Sequence, residues 1–140
     1  MSSYYNIPVI IPAYEPDEKL LKLLEQLKAA GIVHIIVVDD GSGSDYQELF
    51  LQAETVEGCE VLHHAVNLGK GRALKTAFNA CLLKFPGLCG CVTADSDGQH
   101  TPHDILACMR KLWENPKALV LGCRDFDASD VPARSSFGNK

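Results

Sequence analysis

No apolar stretch of this chain is long enough to span a bilayer, which takes about 20 consecutive apolar residues. The N-terminus, Met1-Ser2-Ser3-Tyr4-Tyr5-Asn6, lacks the basic segment followed by an apolar one that marks a secretory signal, so a cytoplasmic protein is expected. Positive charge is also scarce. Thirteen Lys and Arg face 18 Asp and Glu, for a formal net charge of -5. No basic field draws nucleic acid or an anionic membrane by charge alone, and no nucleic-acid partner is expected. An anionic substrate would need a locally arranged site, or one that carries its own cation. Internal repeats and low-complexity segments are absent, and 140 residues suit one compact domain.

Cysteine is present but not in a metal or redox pattern. Of the six, Cys59, Cys81, Cys89, Cys91, Cys108 and Cys123, none forms a Cys-x-x-Cys pair. Most sit in apolar runs, so buried reduced thiols are expected rather than a disulfide framework. A zinc site from Cys59, His63 and His64, or from His100, His103 and Cys108, is the alternative use. Two nucleotide signatures are missing as well. Gly69-Lys70 is followed by Gly71 instead of Ser or Thr, and His64 stands where a P-loop has its first glycine. Gly41-x-Gly43 follows the second strand-like run instead of the first, and Tyr46 occupies the third glycine position of a dinucleotide fingerprint.

What remains is a regular alternation. Ile7 to Ile11 reads as a buried strand, with Pro8 unpaired near its start. Leu20, Leu23, Leu24 and Leu27 recur at helical spacing after Pro16-Asp17-Glu18, with Gly31 as the stop. His34 to Val38 is a second strand, continuous in apolar residues as a doubly covered strand is. Ser44-x-x-Gln47 resembles a capping box that opens a second helix. Glu60 to His63 is a third strand. Leu74, Ala77, Phe78 and Cys81 mark a third helix, and Cys89 to Thr93 a fourth strand. Thr101-Pro102 opens a fourth helix carrying Ile105, Met109 and Leu112, and Ala118 to Gly122 is a fifth strand. The expected fold is α/β: a Rossmann-like open, mostly parallel sheet with helices on both faces. The pattern breaks off near Lys140, as if another element were starting.

Each strand ends in a polar cluster, and ligands of such sheets bind beyond the strands' carboxyl ends. The clusters are Pro12-Ala13-Tyr14-Glu15, Asp39-Asp40-Gly41-Ser42, Asn67-Leu68-Gly69-Lys70-Gly71, Asp95-Ser96-Asp97 and Arg124. Singly, each has a structural alternative. Asp39 to Ser42 makes an ordinary turn, Gly69 to Gly71 a helix start, Tyr14 an edge packer and Arg124 an ion-pair partner of Asp125 or Asp127. Together they converge on one edge. Asp95 and Asp97 with Gln99 are hard oxygen ligands, which favour Mg²⁺ or Mn²⁺ shared with substrate phosphates.

Val9-Ile10-Ile11-Pro12-Ala13-Tyr14, Val37-Val38-Asp39-Asp40-Gly41-Ser42, Asn67-Leu68-Gly69-Lys70-Gly71 and Ala94-Asp95-Ser96-Asp97-Gly98-Gln99-His100 resemble, in order and spacing, the inverting family 2 glycosyltransferases. The polyprenol-phosphate or dolichol-phosphate mannose and glucose synthase branch is the nearest in look. The resemblance implies a glycosyltransferase-A fold that binds a UDP- or GDP-linked sugar with Mg²⁺ or Mn²⁺. It implies that residues 1–140 are the nucleotide-sugar-binding part of a catalytic domain, without the acceptor part. By the same carry-over, Pro12, Ala13, Tyr14 and Glu15 lie at the base, and Asp40 reads the base or ribose with Val38 contributing backbone. Gly69, Lys70, Asp95 and Ser96 lie along the nucleotide, and Asp97 and Gln99 ligate the metal with Asp95 through water. Arg124 approaches the phosphates. One departure is Glu15-Pro16, where the family has Asn then Glu; Glu15 or Asp17 would have to replace that base contact. The acceptor is a polyprenyl phosphate or a growing glycan, which places the protein at the cytoplasmic face of a membrane. The catalytic base is expected beyond Lys140. A donor-binding module without turnover and a sugar nucleotidyltransferase are the alternatives.

Overall fold

The computed structural model describes residues 4–85, 90–96 and 101–114. Its strands are β1 (Val9–Ala13), β2 (Ile35–Asp39), β3 (Cys59–His63) and β4 (Val92–Thr93). Its helices are α1 (Glu18–Ala29), α2 (Gln47–Glu54), α3 (Lys70–Lys84) and α4 (Pro102–Glu114). The four strands form one sheet in the order β3-β2-β1-β4, and every pairing is parallel. The expected α/β architecture is therefore present. The expected strand at Ala118 to Gly122, and Arg124, lie outside the described residues.

Period-two alternation along β1 sends its side chains to two separate cores. Val9, Ile11 and Ala13 join Leu20, Leu23, Leu24 and Leu27 of α1, Phe50 of α2 and Ile105 and Met109 of α4. Ile10 faces the other way, with Ile36, Val38 and the α3 residues Ala73, Leu74 and Ala77. Each fully buried Leu or Ile here contributes about 1.5–3 kcal/mol, which is why the strands can be apolar on both faces. Cys108 belongs to the larger core and is disulfide-bonded, a departure from the reduced thiols expected. Cys59, Cys81 and Cys91 are free, as expected. Burial pushes the Cys59 thiol up to about 12, helped by the nearby Glu54 and Glu60 charges, so it is a packing residue rather than a nucleophile.

Local signals set most helix ends. Asp17 caps α1, its carboxylate accepting from the Lys19 amide at 2.9 Å, and Gly31 leaves the helix with φ at 99°. Thr101 accepts from the Asp104 amide at 3.1 Å and so opens α4. The capping box expected at Ser44 does not form. A 3-10 turn at Ser44–Tyr46 precedes α2, no side chain caps it, and Gln47 Nε2 donates instead to the Gly43 carbonyl. β1 begins at Val9, two residues later than the apolar run, and continues through Pro12 to Ala13. Ile10 offers its carbonyl to the Ala94 amide on the β4 side, and Ala13 offers its own to the Asp40 amide on the β2 side. By alternation Pro12 faces the β4 side, where pairing has stopped at Thr93. Its missing N–H therefore costs no ladder bond.

Candidate functional site

Parallel pairing carries the carboxyl ends of all four strands to one edge. β2 and β3 lie on one side of β1. The chain then crosses through α3 to place β4 on its other side. This reversal beside β1 is the switch point at which open α/β sheets bind ligands. A cavity of about 400 Å³ opens there, lined by Pro12, Ala13, Tyr14, Asp40, Asn67, Gly69, Lys70, Asp95 and Ser96.

The floor is set by Asp40, which is only 4% exposed. Its Oδ1 accepts from the Leu68 amide and from His64 Nδ1, both at 2.8 Å. Its Oδ2 accepts from the Gly69 amide at 3.0 Å and from Asn67 Nδ2 at 3.3 Å. Those donors fill the roughly four acceptor positions of a carboxylate. Here the carboxylate holds the connection from β3 to α3 against the end of β2. Asp39, its neighbour, does similar work. It accepts from the Ser42 amide at 2.9 Å and pairs with His63 Nδ1 at 2.8 Å. His63 and His64 are thereby committed to carboxylates and do not form the alternative zinc site with Cys59. Ser42 Oγ accepts from the Glu15 amide at 2.8 Å and ties the ends of β1 and β2 together.

The cavity wall carries charge of both signs. Gly69, with φ at 99° and no side-chain cap, starts α3, so the helix N-terminus and its positive dipole end face the cavity. Lys70 follows immediately, and its Nζ lies 2.9 Å from Asp95 Oδ1. Half-exposed Tyr14 stands at the rim. The hydrogen bond to the Glu15 carboxylate, and then the charge of that carboxylate, raise the Tyr14 hydroxyl above its ordinary pKa. Replacing Glu15 by Gln is expected to lower the Tyr14 titration midpoint toward the ordinary value; absorbance near 295 nm against pH reads it, and an unchanged midpoint would refute the contact. Glu15 itself has φ at 50°, the one positive value among the described non-glycine residues. Asn tolerates that backbone better than Glu, which accounts physically for the Asn that the resembling family has there.

Of the candidates from sequence, Pro12, Ala13, Tyr14, Asp40, Gly69, Lys70, Asp95 and Ser96 meet at the cavity. Glu15 adjoins it. Val38 does not line it: its side chain is fully buried in the smaller core against α3. Asp97, Gln99 and Arg124 lie outside the described residues. Among the described residues no group of three or more His, Cys, Asp or Glu side chains forms a metal centre. Asn67, part of the third strand-end cluster, lines the cavity as well, and His64, a zinc-ligand candidate from sequence, pairs with Asp40 instead. The Asn67-x-Gly69 spacing was visible, but its use depends on Asp40, 27 residues away.

The family model described as "Glycosyl transferase family 2" matches residues 9–136. The chain is 32% identical over 137 residues to the uncharacterized protein MJ1222 of Methanocaldococcus jannaschii, covering 96% of this chain and 54% of that protein. It is 29% identical to the UDP-N-acetylglucosamine–dolichyl-phosphate N-acetylglucosaminyltransferase of Methanococcus voltae, covering 95% of this chain and 59% of that one. The chain thus spans little more than half the length of these relatives. The crystal structure of S. aureus TarS 1-349 superposes with a TM-score of 0.55 at 19% identity, over 78% of this chain and 32% of that one, and so shares its fold. With nearly its whole length matched and its strand-end residues gathered around one cavity, the chain belongs to glycosyl transferase family 2.

Proposed function

We propose that the cavity is the donor site of a glycosyltransferase that takes a hexose from a UDP- or GDP-linked sugar and transfers it with inversion to a polyprenyl phosphate. The observation that carries this is the meeting of the Tyr14 ring, the α3 N-terminus, Lys70 and Asp95 around about 400 Å³ at the switch point. A nucleoside diphosphate has matching parts. Its base stacks on the exposed Tyr14 ring beside Pro12 and Ala13, and its diphosphate takes the α3 amides and the Lys70 ammonium. The dolichyl-phosphate acceptor in the name of the Methanococcus voltae relative supports the lipid-phosphate half of the proposal. Such an acceptor brings the protein to a membrane face, although no helix among the described residues is long and apolar enough to cross one.

Asp95, at the cavity, would hold Mg²⁺ or Mn²⁺ together with Asp97 and Gln99, which follow it in sequence. Hard oxygen donors suit either ion, and the Lys70 ammonium, 2.9 Å from that carboxylate, would have to give way to it. When bound, the ion offsets charge that grows on the leaving diphosphate. Lys70 and the α3 dipole act on the same charge, fixed in place before the reaction. The base that deprotonates the acceptor is proposed to come from outside the described residues.

Calorimetric titration of UDP-N-acetylglucosamine and GDP-mannose, with and without Mn²⁺, tests this. One of the two is expected to bind in a Mn²⁺-dependent way, and Asp97→Ala is expected to weaken that binding at least about tenfold, or 1.4 kcal/mol. Binding that ignores both Mn²⁺ and the substitution would sink the metal-assisted donor site. Release of free nucleotide on adding a polyprenyl phosphate then reports turnover.

A further inference from the structure

The geometry points to His64 as a positioning residue for this donor site, acting through Asp40 on the connection that sets the first turn of α3, whose amides face the diphosphate; the inference rests on the donor-site reading of the cavity. His64 directly follows β3 and its side chain is only 8% exposed. Both ring nitrogens are engaged at 2.8 Å, Nδ1 with Asp40 Oδ1 and Nε2 with Thr76 Oγ1 on the second turn of α3. The Asp40 carboxylate only accepts, so Nδ1 carries the proton and donates. The Thr76 hydroxyl completes the ring by donating to Nε2. The histidine therefore links the end of β2 to the body of α3, and the connection it closes is the one that presents Leu68, Gly69 and Lys70.

A simple packing role does not account for this geometry. Asp40 Oδ1 is shared between His64 Nδ1 and the Leu68 amide, and Oδ2 between the Gly69 amide and Asn67. Among those donors His64 is the one anchored outside the connection's tip, through Thr76. It fixes the carboxylate's rotation, and the rotation holds the Leu68-Gly69 backbone that donates to it and leads into α3. Lys70 is the next residue, and its ammonium reaches Asp95. Loss of His64 frees the carboxylate to turn, so the first turn of α3 loses its aim while the sheet and both cores stay intact. A displacement of about 1 Å in a positioning group is enough to cost a large factor at a site.

The test uses His64→Ala, and His64→Asn, whose amide restores a donor toward Asp40. Proton–nitrogen NMR spectra of the ligand-free chain follow the Leu68 and Gly69 amides, and titrations compare UDP and GDP with uridine and guanosine. His64→Ala is expected to move both amide signals upfield and to weaken the bound diphosphate nucleotide about tenfold, the equivalent of roughly one misplaced hydrogen bond. The matching nucleoside, which lacks phosphates, is expected to bind as before, and His64→Asn to recover most of both effects. Unchanged amides, equal losses for nucleoside and nucleotide, or no recovery in His64→Asn would each overturn the inference. Should the wild-type chain bind neither nucleotide, the donor-site reading fails, and the amide signals alone decide the role of His64. Should His64→Ala fail to fold, Thr76→Val removes the anchor with the imidazole in place; it is expected to shift the same two amides, and their constancy would overturn the inference.

Discussion

Replacing Asp40 with Ala is expected to cost about 2–4 kcal/mol of folding stability, since it removes the buried acceptor of several part-buried donors at once. The Leu68 and Gly69 amides and His64 Nδ1 all end on its carboxylate at 3.0 Å or less. A typical domain has only about 5–15 kcal/mol in total, so the variant should unfold at a much lower urea midpoint, with the slope unchanged if the transition stays two-state. Asp40→Asn is the sharper version. It keeps the shape but puts an N–H₂ group against donors, so some of the penalty persists although almost no volume is lost. Nucleotide binding should be lost in both variants even at temperatures where they stay folded, because the same carboxylate holds the Leu68-Gly69 connection. A stability loss below about 1 kcal/mol, within the range of an ordinary surface change, would contradict the description of Asp40 as the anchor.

Gly41→Ala is expected to be nearly as damaging, for a steric reason. A Cβ there would lie 2.1 Å from the Val66 carbonyl carbon and 2.3 Å from the Asn67 nitrogen, with φ at 73°. Both neighbours are backbone, so nothing flexible can yield. The left-handed conformation adds about 1–2 kcal/mol for a residue with a Cβ, and forced displacement typically adds about 1–3 kcal/mol. The segment that must move runs into Asn67, Leu68 and Gly69, so the clash also pulls donors off Asp40. Gly43→Ala supplies the control. Its φ is 98°, but an added Cβ meets nothing within 4 Å, so only the backbone strain should appear. Denaturant midpoints of the two variants separate the effects: equal midpoints would mean that Val66 does not crowd Gly41.

Much of the fold could be read directly because it rests on local or periodic signals. Leu20, Leu23, Leu24 and Leu27 repeat at helical spacing, and all four are buried on α1. The run before Asp39 is short, apolar and rich in β-branched residues, and it pairs in parallel with the run before His63, Asp39 opposite His63. Where the structure departs from that reading, the cause is local backbone geometry. Ser44 had the right spacing for a capping box, yet Gly43 takes φ 98° and turns the chain into a 3-10 start, so Gln47 reaches a carbonyl instead.

The sequence by itself determined the alternation of strands and helices, hence a parallel sheet whose polar strand ends share one edge, and its ordered motifs determined the family. Those properties follow from neighbours within a few residues, through side-chain periodicity and turn chemistry. Only the tertiary structure decided what each polar group does at that edge. Asp40 and His64 are 24 residues apart, and Lys70 and Asp95 are 25 apart. Their meeting depends on strand register and on the path of α3 across the sheet. No local pattern encodes that, because a hydrogen bond needs its partners within about 3 Å while the chain between them can close in many ways.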